Sequence, residues 1–211
     1  MRSADAATLV RTLLVFLIVY MVFIKLYPVF TILVILLMYF LDGFDGYLAV
    51  RSASKGSIGF IEYARAAISK NEEEKEKIAQ YKRILSKTAK FGPRIDVAGD
   101  RVIEFTFWIT FAYLKLIPLF VVFIVLFRHF FVDALMASKG TSSKSKTKFA
   151  KIIYSSNISR GGINIIKFLA FVYFVLIYVS NYPLWIGYIL IVVLLAYILL
   201  RGAAEAYEAL A

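Results

Sequence analysis

Apolar residues run through this chain in long blocks, with breakers between them. Residues 9–27 form one block, ended by Pro28, and 29–50 form a second. Each matches the roughly 20 residues a helix needs to cross a bilayer, and the proline marks the turn between them. The same pattern predicts a third helix over 102–117, with Pro118 turning the chain, and a fourth over 119–136. A fifth is expected over 163–180, a turn from Asn181 to Pro183, and a sixth over 184–200. Six spans return both termini to one side. The expected fold is an all-α integral membrane protein, a single domain over 1–211 with cytoplasmic termini.

Two polar segments interrupt the blocks. Residues 52–91 are rich in Lys and Glu and hold no long apolar run. Ile78, Tyr81 and Leu85 recur there at helical spacing, and Glu73 and Lys77 form an i,i+4 pair. A short amphipathic helix in a cytoplasmic insertion is therefore expected. A solvated structural arm is the plain reading of such a charge run, and a lid or partner-binding element is the other. Residues 138–151 are dense in Ser, Lys and Gly, a composition suited to a loop that meets anionic headgroups.

Composition sharpens this picture. Hydrophobic residues make up 61% of the chain, well above the share in soluble domains. A net charge of +11 raises the question of nucleic acid, but the placement of the cations answers it. Lys and Arg concentrate at the N-terminus, between Arg51 and Arg101, and between Arg128 and Lys167, while the alternate short turns hold little beyond Lys25 and Lys115. That is the positive-inside distribution of a membrane protein, so membrane lipids and not nucleic acid are the expected partners. Ala6 and Ala7 precede the first apolar block instead of following it, so that block is expected to remain as an anchor and not as a cleaved signal.

The candidate chemistry narrows by elimination. The chain has no cysteine and a single histidine, His129, which removes thiolate chemistry and leaves His-based zinc or Ser-His relays poorly supported. Carboxylates and cations remain. No solenoid-range repeat and no Walker-type phosphate loop is present.

Acids stand out at two places. Asp42 and Asp45 close the second block in the run Leu41-Asp42-Gly43-Phe44-Asp45-Gly46. Asp96 and Asp100 lead into the third, in Gly92-Pro93-Arg94-Ile95-Asp96-Val97-Ala98-Gly99-Asp100-Arg101. Spacings of i,i+3 and i,i+4 let each pair share a helix face. One charged Asp at the bilayer centre costs about 3 kcal/mol, so four would cost roughly 12 kcal/mol, and less at the interface. Something must offset them, and either arginines or a metal ion could do so. Oxygen-rich clusters suit hard ions such as Mg²⁺ or Mn²⁺, which bind phosphates together with carboxylates. Gly43, Gly46, Gly92 and Gly99 beside the acids lack the side chains that would keep a helix or a ligand from the backbone; small residues also serve plain helix packing.

These residues resemble the signature of the CDP-alcohol phosphatidyltransferase family, Asp-x-x-Asp-Gly-x-x-Ala-Arg followed by Gly-x-x-x-Asp-x-x-x-Asp. Asp42, Asp45, Gly46 and Ala49 fit the first half, and Gly92, Asp96 and Asp100 the second. Val50 stands where the family has Arg, with Arg51 one residue later, and the segment 52–91 separates two halves that the family keeps close. The resemblance implies that Asp42, Asp45, Asp96 and Asp100 hold Mg²⁺ or Mn²⁺ against the diphosphate of a CDP-lipid. It implies Asp100 as the base for the acceptor hydroxyl, and Thr8, Arg11, Gly46, Ala49, Arg51 and Gly92 on the nucleotide side. It also implies homodimers in the cell membrane with a cytoplasmic active site.

The segments Arg128-His129-Phe130-Phe131 and Lys144-Ser145-Lys146-Thr147 look like parts of phosphatidylglycerolphosphate synthases. On that likeness Arg128, Lys146 and Arg160 become candidates for binding a phosphorylated acceptor such as glycerol phosphate or inositol phosphate, since guanidinium matches phosphate in a bidentate way. Positive-inside anchoring is the alternative for each, and for Arg11 as well. Two other functions fit aspartate-rich membrane chains: an intramembrane prenyltransferase, which normally has more spans, and an ion channel or transporter lined by acids.

Overall fold

The computed structural model describes residues 3–68, 72–88, 91–139 and 157–210. Among them the chain forms eight helices and no strand. They are α1 (Ser3–Phe23), α2 (Pro28–Ala53), α3 (Phe60–Ile68), α4 (Glu72–Thr88), α5 (Gly92–Tyr113), α6 (Leu119–Lys139), α7 (Asn157–Ser180) and α8 (Leu184–Leu210).

Five of these, α1, α2, α6, α7 and α8, contain stretches long and apolar enough to cross a membrane. Their apolar character continues around the helix. In α1, Val15 and Ile18 are buried while Leu13, Phe16 and Tyr20 are exposed, and in α6, Val121 and Val125 are buried while Phe120, Phe123 and Phe127 are exposed. A helix on the surface of a soluble protein would be polar on that outer face; hydrocarbon is the solvent these faces fit. The chain has the make-up of a helical multi-pass membrane protein.

The third predicted span departs from this. α5 begins at Gly92, well before residue 102, and ends at Tyr113, before residue 117. It carries Arg94, Asp96, Asp100, Arg101 and Glu104, so its first half is charged, and it is not among the five apolar helices. The sixth helix departs differently, continuing past residue 200 to Leu210.

Short turns end on a shared device. Lys25, Lys115 and Asn181 adopt left-handed backbone, with φ of 49°, 57° and 56°. Such residues stop a helix and turn the chain. Pro28, Pro118 and Pro183 then stand at or just before the first turn of α2, α6 and α8, where a missing N–H costs nothing.

The helices gather into two compact units, one of residues 1–24 and 29–106, the other of residues 25–28 and 107–211. In the first, the polar insertion forms two helices, α3 and α4, where one short helix is expected from the sequence. Their apolar sides meet the end of α2: Val50, Ile58, Ala66 and Ile78 are buried together, flanked by Tyr63, Tyr81 and Leu85. Lys77, spaced to pair with Glu73, donates to Glu62 of α3 at 2.7 Å. That bond holds the Glu62 carboxyl below the usual carboxylate range and raises the Lys77 ammonium above the usual lysine range.

In the second unit an aromatic core joins α5 to α7. Phe107 stacks on Phe171 with centroids 4.7 Å apart, Trp108 meets the same ring edge-on, and Phe111 packs against Phe174. Gly187 of α8 lets that layer close, because a Cβ there would lie 2.7 Å from Ile177 Cδ1 and 3.0 Å from Phe174 Cζ.

Candidate metal centre

The acids meet in the first unit because α1, α2 and α5 approach closely there. Gly99 marks a close approach of α5 to α1: a Cβ on it would lie 2.8 Å from Thr12 Oγ1 and 3.0 Å from Thr8 Cγ2. A larger residue would push α5 off α1. With the helices this near, the buried guanidinium of Arg11 reaches four carboxylates. It pairs with Asp42, lies 3.5 Å from Asp45 through Nε, and makes contacts of 2.7 Å with both Asp96 and Asp100.

Asp42, Asp96 and Asp100 each offer a carboxylate oxygen within 4.8 Å of the others. Asp45 stands beside this trio. It is buried, and its Oδ2 accepts a hydrogen bond from Thr8 Oγ1 at 2.9 Å. The four acids predicted from sequence therefore share one neighbourhood, with three grouped as potential ligands and the fourth tied to α1. Arg11 and Thr8, expected on the nucleotide side, stand directly among the acids.

The donor set fits a hard divalent ion. All the donors are carboxylate oxygens, the ligand type that Mg²⁺ and Mn²⁺ take. One guanidinium faces four carboxylates, so acidic groups outnumber cations at a site partly withdrawn from water.

Gly43 has open space where a Cβ would be, whereas a Cβ on Gly46 would lie 2.8 Å from Tyr63 Oη. Ala49 is half-buried on α2 and Gly92 opens α5. Arg51 donates to Tyr47 Oη at 3.1 Å and lines a cavity of about 440 Å³ with Ser3, Leu48, Ser52, Lys55 and Gly56. Val50 is fully buried in the core under the insertion, which accounts for an apolar residue at that position: an arginine there would have to be buried beneath α3 and α4.

Arg128 belongs to the second unit. Its guanidinium donates to Glu205 Oε2 at 2.7 Å and to the Ile198 carbonyl at 3.2 Å, and lies 2.7 Å from His129 Nδ1. Arg201 holds the other Glu205 oxygen at 2.9 Å. Gly202 makes room for the crossing, since a Cβ there would lie 2.6 Å from Arg128 Nε. Arg160 stands on the first turn of α7, and Lys146 lies outside the described residues.

Sequence reasoning passed over three residues. Glu104 is buried on α5 one turn beyond Asp100, and the spacing of positions 96, 100 and 104 signals it. Glu205 follows Arg201 at i+4, beyond the point where the last helix is expected to end. Tyr63 carries no signal of its own; only folding of the insertion brings it to Gly46. Compared with models of known families, with curated proteins and with solved structures, the chain matches none.

Proposed function

We propose that this protein is a membrane phosphotransferase of the CDP-alcohol phosphatidyltransferase type, moving a phosphatidyl group from a CDP-lipid to an alcohol and releasing CMP. The observation that carries the reading is the approach of Asp42, Asp96 and Asp100, from two helices distant in sequence, to within 4.8 Å. The spacing of the acids in the sequence supports it from a second direction.

In this reading α5 is the sixth span, with its charged first half at the membrane boundary. The cation-rich segments support a cytoplasmic side for the termini and the site, in the cell membrane. Asp42, Asp96 and Asp100 hold Mg²⁺ or Mn²⁺, with Asp45 beside them. Bound there, the ion supplies charge withdrawal from the diphosphate oxygens. Asp100, about half exposed, takes the proton of the acceptor hydroxyl. The acceptor oxygen bonds to the lipid-side phosphorus, the bond from that phosphorus to the CMP oxygen breaks, and CMP departs with the electron pair. Arg11 and Thr8 hold the carboxylates in register. Arg128, Arg160 and Lys146 are the cations assigned to a phosphorylated acceptor, glycerol phosphate or inositol phosphate, and the working form is a homodimer.

The test is an acceptor screen on the purified protein with CDP-diacylglycerol and Mg²⁺, reading released CMP. Glycerol 3-phosphate or inositol 1-phosphate should react, and Asp100→Asn should slow release by about 100-fold or more. Reaction only with serine or free inositol removes the phosphorylated-acceptor assignment. Turnover of a prenyl diphosphate, or ion flux in liposomes without CMP from any acceptor, rejects the phosphotransferase itself.

A further inference from the structure

The insertion brings a phenol to the carboxylate site. Tyr63 Oη rests against α2 at Gly46, 2.8 Å from where a Cβ would stand, and Gly46 directly follows Asp45. The ring is fixed by neighbours: Tyr47 packs on it at 5.9 Å, Lys82 Nζ lies over its face at 5.9 Å, and the core of Val50, Ile58, Ala66 and Ile78 lies beneath. α3 itself is held by Phe60, which meets Tyr47 edge-on at 5.3 Å, and by the bond from Lys77 to Glu62.

Burial, followed by the charges of Asp45 and Asp42, raises the Tyr63 phenol above its ordinary range. At neutral pH it is an O–H donor. Among the described residues, the hydrogen bonds do not include one from this hydroxyl. A donor on a packed ring at Gly46, the neighbour of Asp45, suits a ligand that brings oxygen acceptors into the site together with a compensating cation.

We propose that Tyr63 is a ligand-binding residue whose hydroxyl donates to a phosphate oxygen of the donor diphosphate. The insertion then completes the site, and Gly46 is glycine because a side chain would displace the phenol. This inference rests on the phosphotransferase reading for the identity of the ligand, and the probes below separate the two.

The full-length protein in detergent would be titrated with Mn²⁺ alone, followed by electron paramagnetic resonance, and then with inorganic pyrophosphate in the presence of Mn²⁺, followed by calorimetry. Tyr63→Phe should keep Mn²⁺ affinity within about twofold and weaken pyrophosphate about five- to tenfold, the loss of one hydrogen bond to a charged group. Gly46→Ala should weaken pyrophosphate similarly, and Gly46→Ala with Tyr63→Phe should be no worse than the weaker single variant. If Gly46→Ala does not fold, Tyr63→Phe decides alone. A Tyr63→Phe protein that binds pyrophosphate as the parent does overturns the assignment of Tyr63 while leaving the phosphotransferase reading standing. A parent protein that binds Mn²⁺ but never pyrophosphate overturns both.

Discussion

Arg11 donates to Asp96 across 85 positions of sequence, at 2.7 Å, and the same guanidinium engages Asp42, Asp45 and Asp100. A single buried cation thus holds three helices at one point. Removing it strands a cluster of like charges. Arg11→Gln should lower thermal stability by roughly 2–3 kcal/mol, a value kept modest because three of the acids are partly solvated. Added Mg²⁺ should raise the melting temperature of Arg11→Gln more than that of the parent, since ion binding to the folded state supplies the missing charge. No shift with Mg²⁺ in either protein would argue against a divalent site.

Val50 tests how the insertion is held. It is fully buried with Ile58, Ala66 and Ile78. Val50→Arg places an unpaired charge in that core, which is among the costliest of substitutions. The expected result is release of α3 and α4, seen as faster limited proteolysis within 52–91, while Val50→Ile leaves the cleavage rate near the parent's.

Gly202 and Arg128 cross where no side chain fits: a Cβ would lie 2.6 Å from Nε and 2.8 Å from Cγ of the arginine. Arg128 is tied by Glu205 and by the Ile198 carbonyl and has little freedom to move aside. Gly202→Ala should cost about 1–3 kcal/mol in thermal unfolding. Combined with Arg128→Ala, its added cost should shrink, because the two substitutions act on one contact.

The bond between Lys77 and Glu62 predicts a pH dependence. Glu62 is held below the ordinary carboxylate range, first by the hydrogen bond from Lys77 and also by its charge. A depressed acid contributes stability above its unfolded pKa and loses it as pH falls through the folded value. Lys77, raised in turn, contributes below the ordinary lysine range and loses it as pH rises through the folded value. The pairing of α3 with α4 should therefore weaken at both extremes and hold between them. Carbon NMR of the Glu62 carboxyl should show titration below the ordinary glutamate range, moving back toward it in Lys77→Met.

Much of this protein is legible in one dimension. Bilayer thickness fixes the length of an apolar helix, so the blocks at 9–27, 29–50, 119–136, 163–180 and 184–200 mark five helices regardless of how they pack. Spacing along a helix likewise pairs Asp42 with Asp45 and Asp96 with Asp100, because a period of 3.6 residues dictates which side chains share a face. The ends of the elements are less secure. α5 starts in a charged segment and α8 runs on to Leu210, since hydropathy marks the membrane and not the helix.

What folding alone decides is which residues meet. Nothing local connects Arg11 to four aspartates, Tyr63 to Gly46, or Arg128 to Gly202. Each meeting depends on two helices approaching closely, at Gly99, Gly46 and Gly202, and that approach is set by packing between segments far apart in sequence. A hydropathy pattern records what each residue prefers as solvent, and it carries no information about which other helix will supply its neighbours.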